Sequence, residues 1–270
     1  MFRLFRNVCG LAMLVWLAGA AAGTATPAEL TLLYAREVDR RLEVPADEVQ
    51  RYATLMQQQL HSAGIALQQP QYLVLVDRSP QVQALLLFWL APAEAPQLIG
   101  ASPVSTGRTG EYDYFETPTG VFEHRTTYQD FRAEGSYNEY GIRGFGLQGM
   151  RVFDFGWQPG VRGWGAGGIS PMRLVLHATD PDRLEPLLGS VESKGCIRIP
   201  TTLVRLLDQY GLLDADYEDA VRAGRKFWVL SPQRTPVAGA GRYLVIVDSG
   251  RSARPAWSPL PPALRHATPP

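Results

Sequence analysis

Apolar runs of strand length, separated by turn residues, dominate the chain after residue 70. Tyr72 to Val76 and Val82 to Leu90 flank the sequence Asp77-Arg78-Ser79-Pro80, a pattern that predicts a β-hairpin. Further runs of this kind are Ile99 to Thr106, Val121 to His124, Arg173 to His177, Lys226 to Leu230 and Tyr243 to Val247. The chain is therefore predicted to be mostly β from residue 71 onward.

Helical spacing is confined to a few segments. Ala28 to Leu67 carries two apolar stripes, with Pro45 at the start of the second helix and Gly64 at its end. These stripes are predicted to cover the edge of the following domain. Two short helices are predicted later in the chain, at Pro181 to Leu188 after the N-cap Asp180 and at Thr201 to Tyr210 before Gly211.

The charge balance excludes one large class of function. The chain has 26 Lys+Arg against 26 Asp+Glu, and its basic residues are dispersed, whereas proteins that bind nucleic acid show a basic excess or stripe. Six Trp, eleven Tyr and ten Phe supply enough core-forming side chains for a folded protein. No nucleic-acid partner is therefore expected.

Residues 1–26 have the pattern of a secretory signal. Arg3 and Arg6 precede an apolar run, and small residues follow it up to an Ala-x-Ala cleavage option that ends at Ala22. The alternative is an uncleaved membrane anchor, although the apolar part is shorter than the ~20 residues that a spanning helix needs. Cleavage removes Cys9 and leaves Cys196 as the single cysteine. Such a thiol is a buried small hydrophobe, an intermolecular bridge or a reactive group.

Two stretches differ in composition from the rest. Residues 135–168 hold eleven glycines and seven aromatic residues, which is read as a lid or insertion that borders a binding site, or as a packed Ω-loop. Residues 251–270 hold six prolines, which predicts an extended tail or linker.

Chemistry is concentrated between Leu174 and Asp208. A predicted strand ends on His177, and Cys196 follows within Ser193-Lys194-Gly195-Cys196-Ile197-Arg198. A nucleophilic cysteine needs a base or a positive environment, and Gly195 permits a tight turn with amide groups free for an oxyanion. Taken singly, His177 is equally compatible with a hydrogen-bonded, half-buried residue, and Arg198 with a surface ion pair.

These residues together resemble the active-site signature of the L,D-transpeptidase (YkuD-type) family, in which a His is followed by Ser/Thr-x-Gly-Cys-x-Arg. Val104-Ser105-Thr106-Gly107 is similar to that family's Ser-Thr-Gly strand end. Thr117-Pro118-Thr119-Gly120-Val121-Phe122 is similar to its Thr-Pro-x-Gly-x-Phe stretch. The resemblance spans roughly residues 71–231.

The resemblance implies a mostly β fold, a β-sandwich or barrel catalytic domain with a few short helices, preceded here by an α-helical N-terminal segment. The expected organisation is a signal peptide at 1–26, the helical segment at 27–69, the catalytic domain at 70–232, an additional strand at 233–250 and a Pro-rich tail at 251–270. It further implies an exported, periplasmic enzyme of the peptidoglycan wall, with contact to the membrane only through an uncleaved signal.

Carried over by position, Cys196 is the nucleophile and His177 its base and later proton donor. Gly195 and Cys196 would supply oxyanion amides, while Ser193 and Arg198 would shape the site. The family uses no metal or other cofactor, and none is expected here. The implied partners are donor and acceptor peptidoglycan stem peptides.

Two departures from the family pattern suggest further residues that contact the substrate. Lys194 stands where the family often has His, and is read either as a substrate or thiolate contact or as a tolerated surface residue. Within the glycine and aromatic stretch, substrate contact is hypothesised for Tyr137, Phe155, Trp157 and Trp164.

Two other functions remain open at this point. The same acyl-enzyme resolved by water would make the protein an L,D-carboxypeptidase or endopeptidase. A non-catalytic wall-binding module is the third reading, and the intact Cys196 and His177 argue against it.

Overall fold

The computed structural model describes residues 24–260. The first 23 residues of the predicted signal and the last ten of the Pro-rich tail lie outside that range. Helices are α1 (Pro27–Glu37), α2 (Ala46–Ser62), α3 (Thr201–Tyr210) and α4 (Ala215–Arg222), with a 3-10 turn at Glu185–Leu187. Strands are β1 (Gln71–Asp77), β2 (Ala84–Leu90), β3 (Gln97–Pro103), β4 (Phe115–Glu116), β5 (Gly120–Glu123), β6 (Phe131–Arg132), β7 (Arg151–Arg162), β8 (Ile169–Ala178), β9 (Ile197–Ile199) and β10 (Tyr243–Val247).

The strands form two sheets. The first has the order β3-β2-β1-β10-β5, and the second has the order β4-β7-β8-β9 with β6 paired to β7. Most neighbours are antiparallel, but β1 runs parallel to β10 and β8 runs parallel to β9. The mostly β prediction with few helices is therefore confirmed at the level of secondary structure.

The principal core lies between the two sheets. Alternate residues of each strand point into it, as the two-residue period of a strand requires, so that Val74 and Val76 of the first sheet share one cluster with Leu174 and Leu176 of the second. The opposite face of the first sheet is covered by α2 through Tyr52, Ala53, Met56 and Leu60. Of the two N-terminal helices, α2 thus covers a sheet face, whereas α1 contributes Leu30 and Tyr34 to the central core.

The additional strand predicted within residues 233–250 is β10, and it lies inside the first sheet. β10 lies between β1 and β5, with Val245 opposite both Leu75 and Val121. Residues 243–247 therefore occupy an inner position of that sheet. Residues 251–260 are not an extended tail, because Trp257 packs edge-on against Tyr52, with ring centroids 5.7 Å apart.

Other local predictions also change. Residues 151–162 of the supposed insertion form β7, the long partner of β8, so only the flanking parts of 135–168 are loop. Lys226 to Leu230 is turn rather than strand, and the predicted helix at 181–188 is reduced to a 3-10 turn. Asp180 nevertheless caps the turn at residues 181–184 that precedes it, since its Oδ1 accepts from the amides of Asp182 and Arg183. α4 was not predicted.

A buried ion network joins the β5–β6 region, β7 and the loop before α4. Arg151 has no exposed surface, and its guanidinium donates to Asp214 at 2.7 Å and to Asp130 at 2.8 Å. Asp130 also accepts from the Asp154 amide at 2.9 Å. A buried charge is tolerated only when it is paired and hydrogen-bonded, so these contacts act as a unit.

His124 completes this network as an imidazolium. Its Nδ1 lies 2.8 Å from the Leu213 carbonyl and its Nε2 lies 2.9 Å from Asp130 Oδ1. Neither partner has a proton to offer, so both ring nitrogens must donate. Burial opposes the charged form, but Asp130 outweighs it and raises the pKa of His124 above its usual 6.5.

Removing one partner from the network tests its structural role. Asp130→Asn leaves Arg151 and His124 with one carboxylate fewer, and we expect the free energy of unfolding to fall by about 3–5 kcal/mol. Urea denaturation followed by circular dichroism measures the change. Asp182→Asn, at a carboxylate that is mostly exposed, is the matched control with an expected change within about 0.5 kcal/mol. Equal stability of the two variants would contradict the assignment.

Candidate active site

His177 and Cys196 are placed by the parallel pairing of β8 with β9. In this register Leu176 lies opposite Ile197 and His177 lies opposite Arg198. Leu176 and Ile197 point into the central core. Because side chains alternate along a strand, His177, Cys196 and Arg198 all lie on the other face of the second sheet.

Ser193 holds the turn that carries the thiol. Its hydroxyl donates to the Cys196 carbonyl at 2.6 Å and accepts from the Gly195 amide at 3.1 Å. Gly195 has φ +123°, and a Cβ there would lie 2.9 Å from Met172 Cε, so only glycine fits without strain. The Gly195 amide thus donates to Ser193. Of the two amides expected to bind an oxyanion, only that of Cys196 is still predicted to do so.

The other matched sequence segments converge on this turn. The Gly107 amide donates to Thr117 Oγ1 at 2.8 Å, and Thr117 Oγ1 donates to the Gly195 carbonyl at 2.8 Å. The Ser193 amide donates to the Thr106 carbonyl at 3.0 Å. The neighbouring segments around Gly107 and Thr117 therefore form one hydrogen-bonded frame with the distant turn that carries Cys196.

Next to β9, the Ser105 backbone adds a further restraint. Its amide donates to the Arg198 carbonyl at 3.0 Å and its carbonyl accepts from the Arg198 amide at 2.9 Å. β9 is therefore held on both sides, by β8 and by Ser105, which leaves the residues after Cys196 little freedom to shift.

His177 is arranged as a neutral base. Its Nδ1 donates to the Ala178 carbonyl, which leaves Nε2 as the acceptor nitrogen. Burial lowers the pKa of His177 to about 3, against a smaller effect of the Ala178 hydrogen bond. Phe145 covers the ring edge-on, with centroids 4.8 Å apart. The backbone carbonyl is thus the group that orients the imidazole.

Cys196 is partly exposed, and its sulfur lies 3.9 Å from the Arg173 carbonyl. Burial raises the pKa of the thiol above its usual 9.0, while Arg198 and the amides of Val175 and Cys196 itself favour the thiolate. No hydrogen bond joins the thiol to His177 within residues 24–260. The resting pair is therefore neutral thiol and neutral imidazole, and proton transfer requires a small side-chain movement or a bridging water.

Arg198 and Lys194 have different surroundings. Arg198 Nη1 donates to the Glu192 carbonyl at 3.0 Å, and its guanidinium is close enough to the thiol to lower its pKa. Lys194 Nζ lies 3.2 Å from Asp113 Oδ2, with both side chains more than half exposed. Lys194 thus forms an ion pair at the surface.

The four aromatic candidates are not brought together. Phe155 has no exposed surface and belongs to the central core, so it offers nothing to a ligand. Tyr137 stacks against Arg143, and Trp164 packs edge-on against Phe115. Trp157 is 70% exposed on β7 and lies opposite Arg173 of β8, on the side of the sheet that carries the thiol.

Sequence reasoning missed three contributors to the site. Thr117 was part of a matched segment but had no role, and Phe145 was one aromatic among many. Arg173 lies four residues before His177 on β8, so strand periodicity alone places both on one face. Its pairing with Asp154 across the sheet follows only from the register of β7 and β8.

Thr117→Val removes both hydrogen bonds that tie Gly107 to Gly195, leaving a buried amide and a buried carbonyl without this partner. We expect a loss of about 1–3 kcal/mol in the free energy of unfolding, measured by urea denaturation. Thr117→Ser keeps the hydroxyl and should recover most of the loss. A valine variant as stable as the serine variant would remove Thr117 from the frame.

The raised pKa of Cys196 predicts the pH dependence of its alkylation. Since only the thiolate reacts, the rate of modification by iodoacetamide should keep rising from about pH 7 through about pH 9, without a plateau near pH 6. Arg198→Gln removes a cation that favours the thiolate and should displace the profile to higher pH. Mass spectrometry of the modified protein gives the rates. A plateau near pH 6 would show a preformed thiolate–imidazolium pair instead.

Two general features of the described part of the chain complete the description. No helix within residues 24–260 is long and apolar enough to cross a membrane. The same residues contain no group of three or more His, Cys, Asp or Glu side chains placed to hold a metal ion.

Comparison with known proteins gives little similarity. No protein-family model matches the sequence, and no curated protein matches it. Among solved structures, the chain is similar to the helical cell shape determining protein Pgp2 from Campylobacter jejuni, with 11% identity and a TM-score of 0.32, and to a point variant of that protein with a TM-score of 0.33. The alignments cover 84% of this chain but only 57% of Pgp2 and 56% of its variant. Similarity at this level assigns neither fold family nor activity.

Proposed function

We propose that the protein is a cysteine-dependent acyltransferase that joins peptidoglycan stem peptides, an L,D-transpeptidase. One observation carries the proposal: the hydrogen-bonded frame of Gly107, Thr117 and Ser193 presents Cys196 on the sheet face that also holds His177. The peptide substrate comes from the family resemblance of those same segments.

The first half of the reaction forms a thioester. Cys196 Sγ attacks the carbonyl carbon of the donor peptide, and the thiol proton passes to His177 Nε2. The C–N bond then breaks, and the leaving amine takes the proton from Nε2. Because His177 is neutral with Nδ1 engaged by Ala178, Nε2 accepts and returns the proton without a change of tautomer.

The second half releases the enzyme. The amine of an acceptor peptide attacks the thioester carbonyl and gives a proton to Nε2. The C–S bond breaks, and the sulfur recovers that proton. Water in place of the amine would yield a shortened stem, which is the hydrolase alternative. The Cys196 amide, next to the sulfur, is the proposed donor to the oxyanion in both halves.

The proposal places the protein in the periplasm, on the strength of the signal-like residues 1–26 and the family resemblance. Amino-terminal sequencing of the protein recovered from a periplasmic extract tests this placement and the cleavage after Ala22. Recovery with residues 1–26 intact in the membrane fraction would favour the anchor.

Mass spectrometry of the purified protein with disaccharide-peptides of defined stem length tests the activity. A cross-linked dimer is expected from the unaltered chain and none from Cys196→Ala, while His177→Gln should slow the reaction about 10²–10⁴-fold. His61→Gln, an exposed histidine on α2, is the matched control. Shortened stems without dimers would identify a hydrolase, and no change in any peptide would favour a wall-binding module.

A further inference from the structure

A cavity of about 670 Å³ lies beside the proposed active site. Its wall includes residues from the β5–β6 region, from β8 and from the turn after α4. The side chains that matter here are Phe131, Arg173, Arg225, Lys226, Phe227 and Trp228. None of them was assigned a role from the sequence.

The cavity carries an excess of positive charge. No carboxylate within residues 24–260 forms an ion pair with Arg225 or Lys226, whereas Arg173 is paired with Asp154. Asp130 also lines the cavity, but its oxygens are engaged by His124 and Arg151. Two unneutralised cations therefore border a space that is large enough for part of a peptide.

Aromatic side chains provide the apolar part of the wall. Trp228 is 74% exposed and lines the cavity, so it offers a flat apolar surface to a bound molecule. The Arg225 guanidinium lies over the Phe227 ring, 4.8 Å from its centroid, which limits the positions available to that cation. Flat apolar surface beside cations suits a peptide segment that carries a carboxylate.

Arg173 connects this cavity to the thiol. Its carbonyl lies 3.9 Å from Cys196 Sγ, and its guanidinium lies 5.7 Å from the centre of the Phe131 ring. Phe131 in turn packs against Phe145, which covers His177.

We propose that this cavity binds a carboxylate of the peptide substrate whose carbonyl Cys196 attacks. That the bound molecule is a peptide rests on the proposed function. Arg225 and Lys226 supply the charge that selects an acidic side chain or terminus over its neutral amide, and Phe227 and Trp228 bound the rest of the segment.

Binding is tested separately from turnover. Calorimetric titration of the Cys196→Ala protein compares an acetylated, amidated tetrapeptide that contains one glutamate with the same peptide containing glutamine. The glutamate peptide should bind about tenfold more tightly, which corresponds to ~1.4 kcal/mol. Arg225→Gln combined with Lys226→Gln should abolish that preference while leaving the affinity for the glutamine peptide within about twofold.

Arg51→Gln, at an exposed arginine of α2, is the matched control and should keep the preference. Equal affinity for both peptides, or an unchanged preference in the double variant, would overturn the cavity assignment. The proposed function is judged on a different readout, the mass of the acyl adduct on unaltered Cys196. If no acyl adduct forms but the glutamate preference depends on Arg225 and Lys226, the acyl-transfer chemistry is overturned. The assignment of the cavity as an anion-binding site then still holds.

Discussion

The parallel pairing of β8 with β9 is the constraint on which the site depends. Leu176 and Ile197 lie opposite each other and point into the central core, so their burial selects this register over its neighbours. A slip by one residue would turn every side chain of the slipped strand to the other face. It would separate His177 from Cys196 and bury one of them among apolar side chains. The position of the proposed nucleophile is therefore maintained by hydrophobic packing on the reverse side of the same sheet.

Hydrogen bonds then convert a strand end into a defined turn. Ser193 binds the backbone on both sides of Gly195, and Thr117 ties that turn to Gly107. A buried amide or carbonyl without a partner is costly, so each contact is favoured over a displaced alternative. This frame leaves the thiol partly exposed while its supporting groups are buried, an arrangement suited to a large substrate that approaches from outside.

Two histidines in this protein differ in charge, because His124 is protonated and His177 is neutral. Their surroundings explain the difference. His124 has acceptors at both nitrogens and carboxylates nearby, which raise its pKa. His177 has a carbonyl at one nitrogen and an aromatic ring over its edge, and burial lowers its pKa. The first serves as a cation inside a structural network, and the second has a free nitrogen lone pair for proton transfer. Their neighbours in sequence do not distinguish them.

The sequence by itself determined the mostly β character, the two N-terminal helices and α3, because period and turn residues are short-range properties. The association of His177 with the Ser193 to Arg198 segment came from the resemblance of these motifs to a family signature. The sequence did not determine that β10 completes the middle of the first sheet, that residues 151–162 form a central strand, or that Phe155 is buried. Tertiary structure alone brought Gly107, Thr117 and Gly195 together and placed Arg225 and Lys226 near Arg173. Those contacts join residues far apart in the chain, and they follow from the packing of two sheets, which no local pattern encodes.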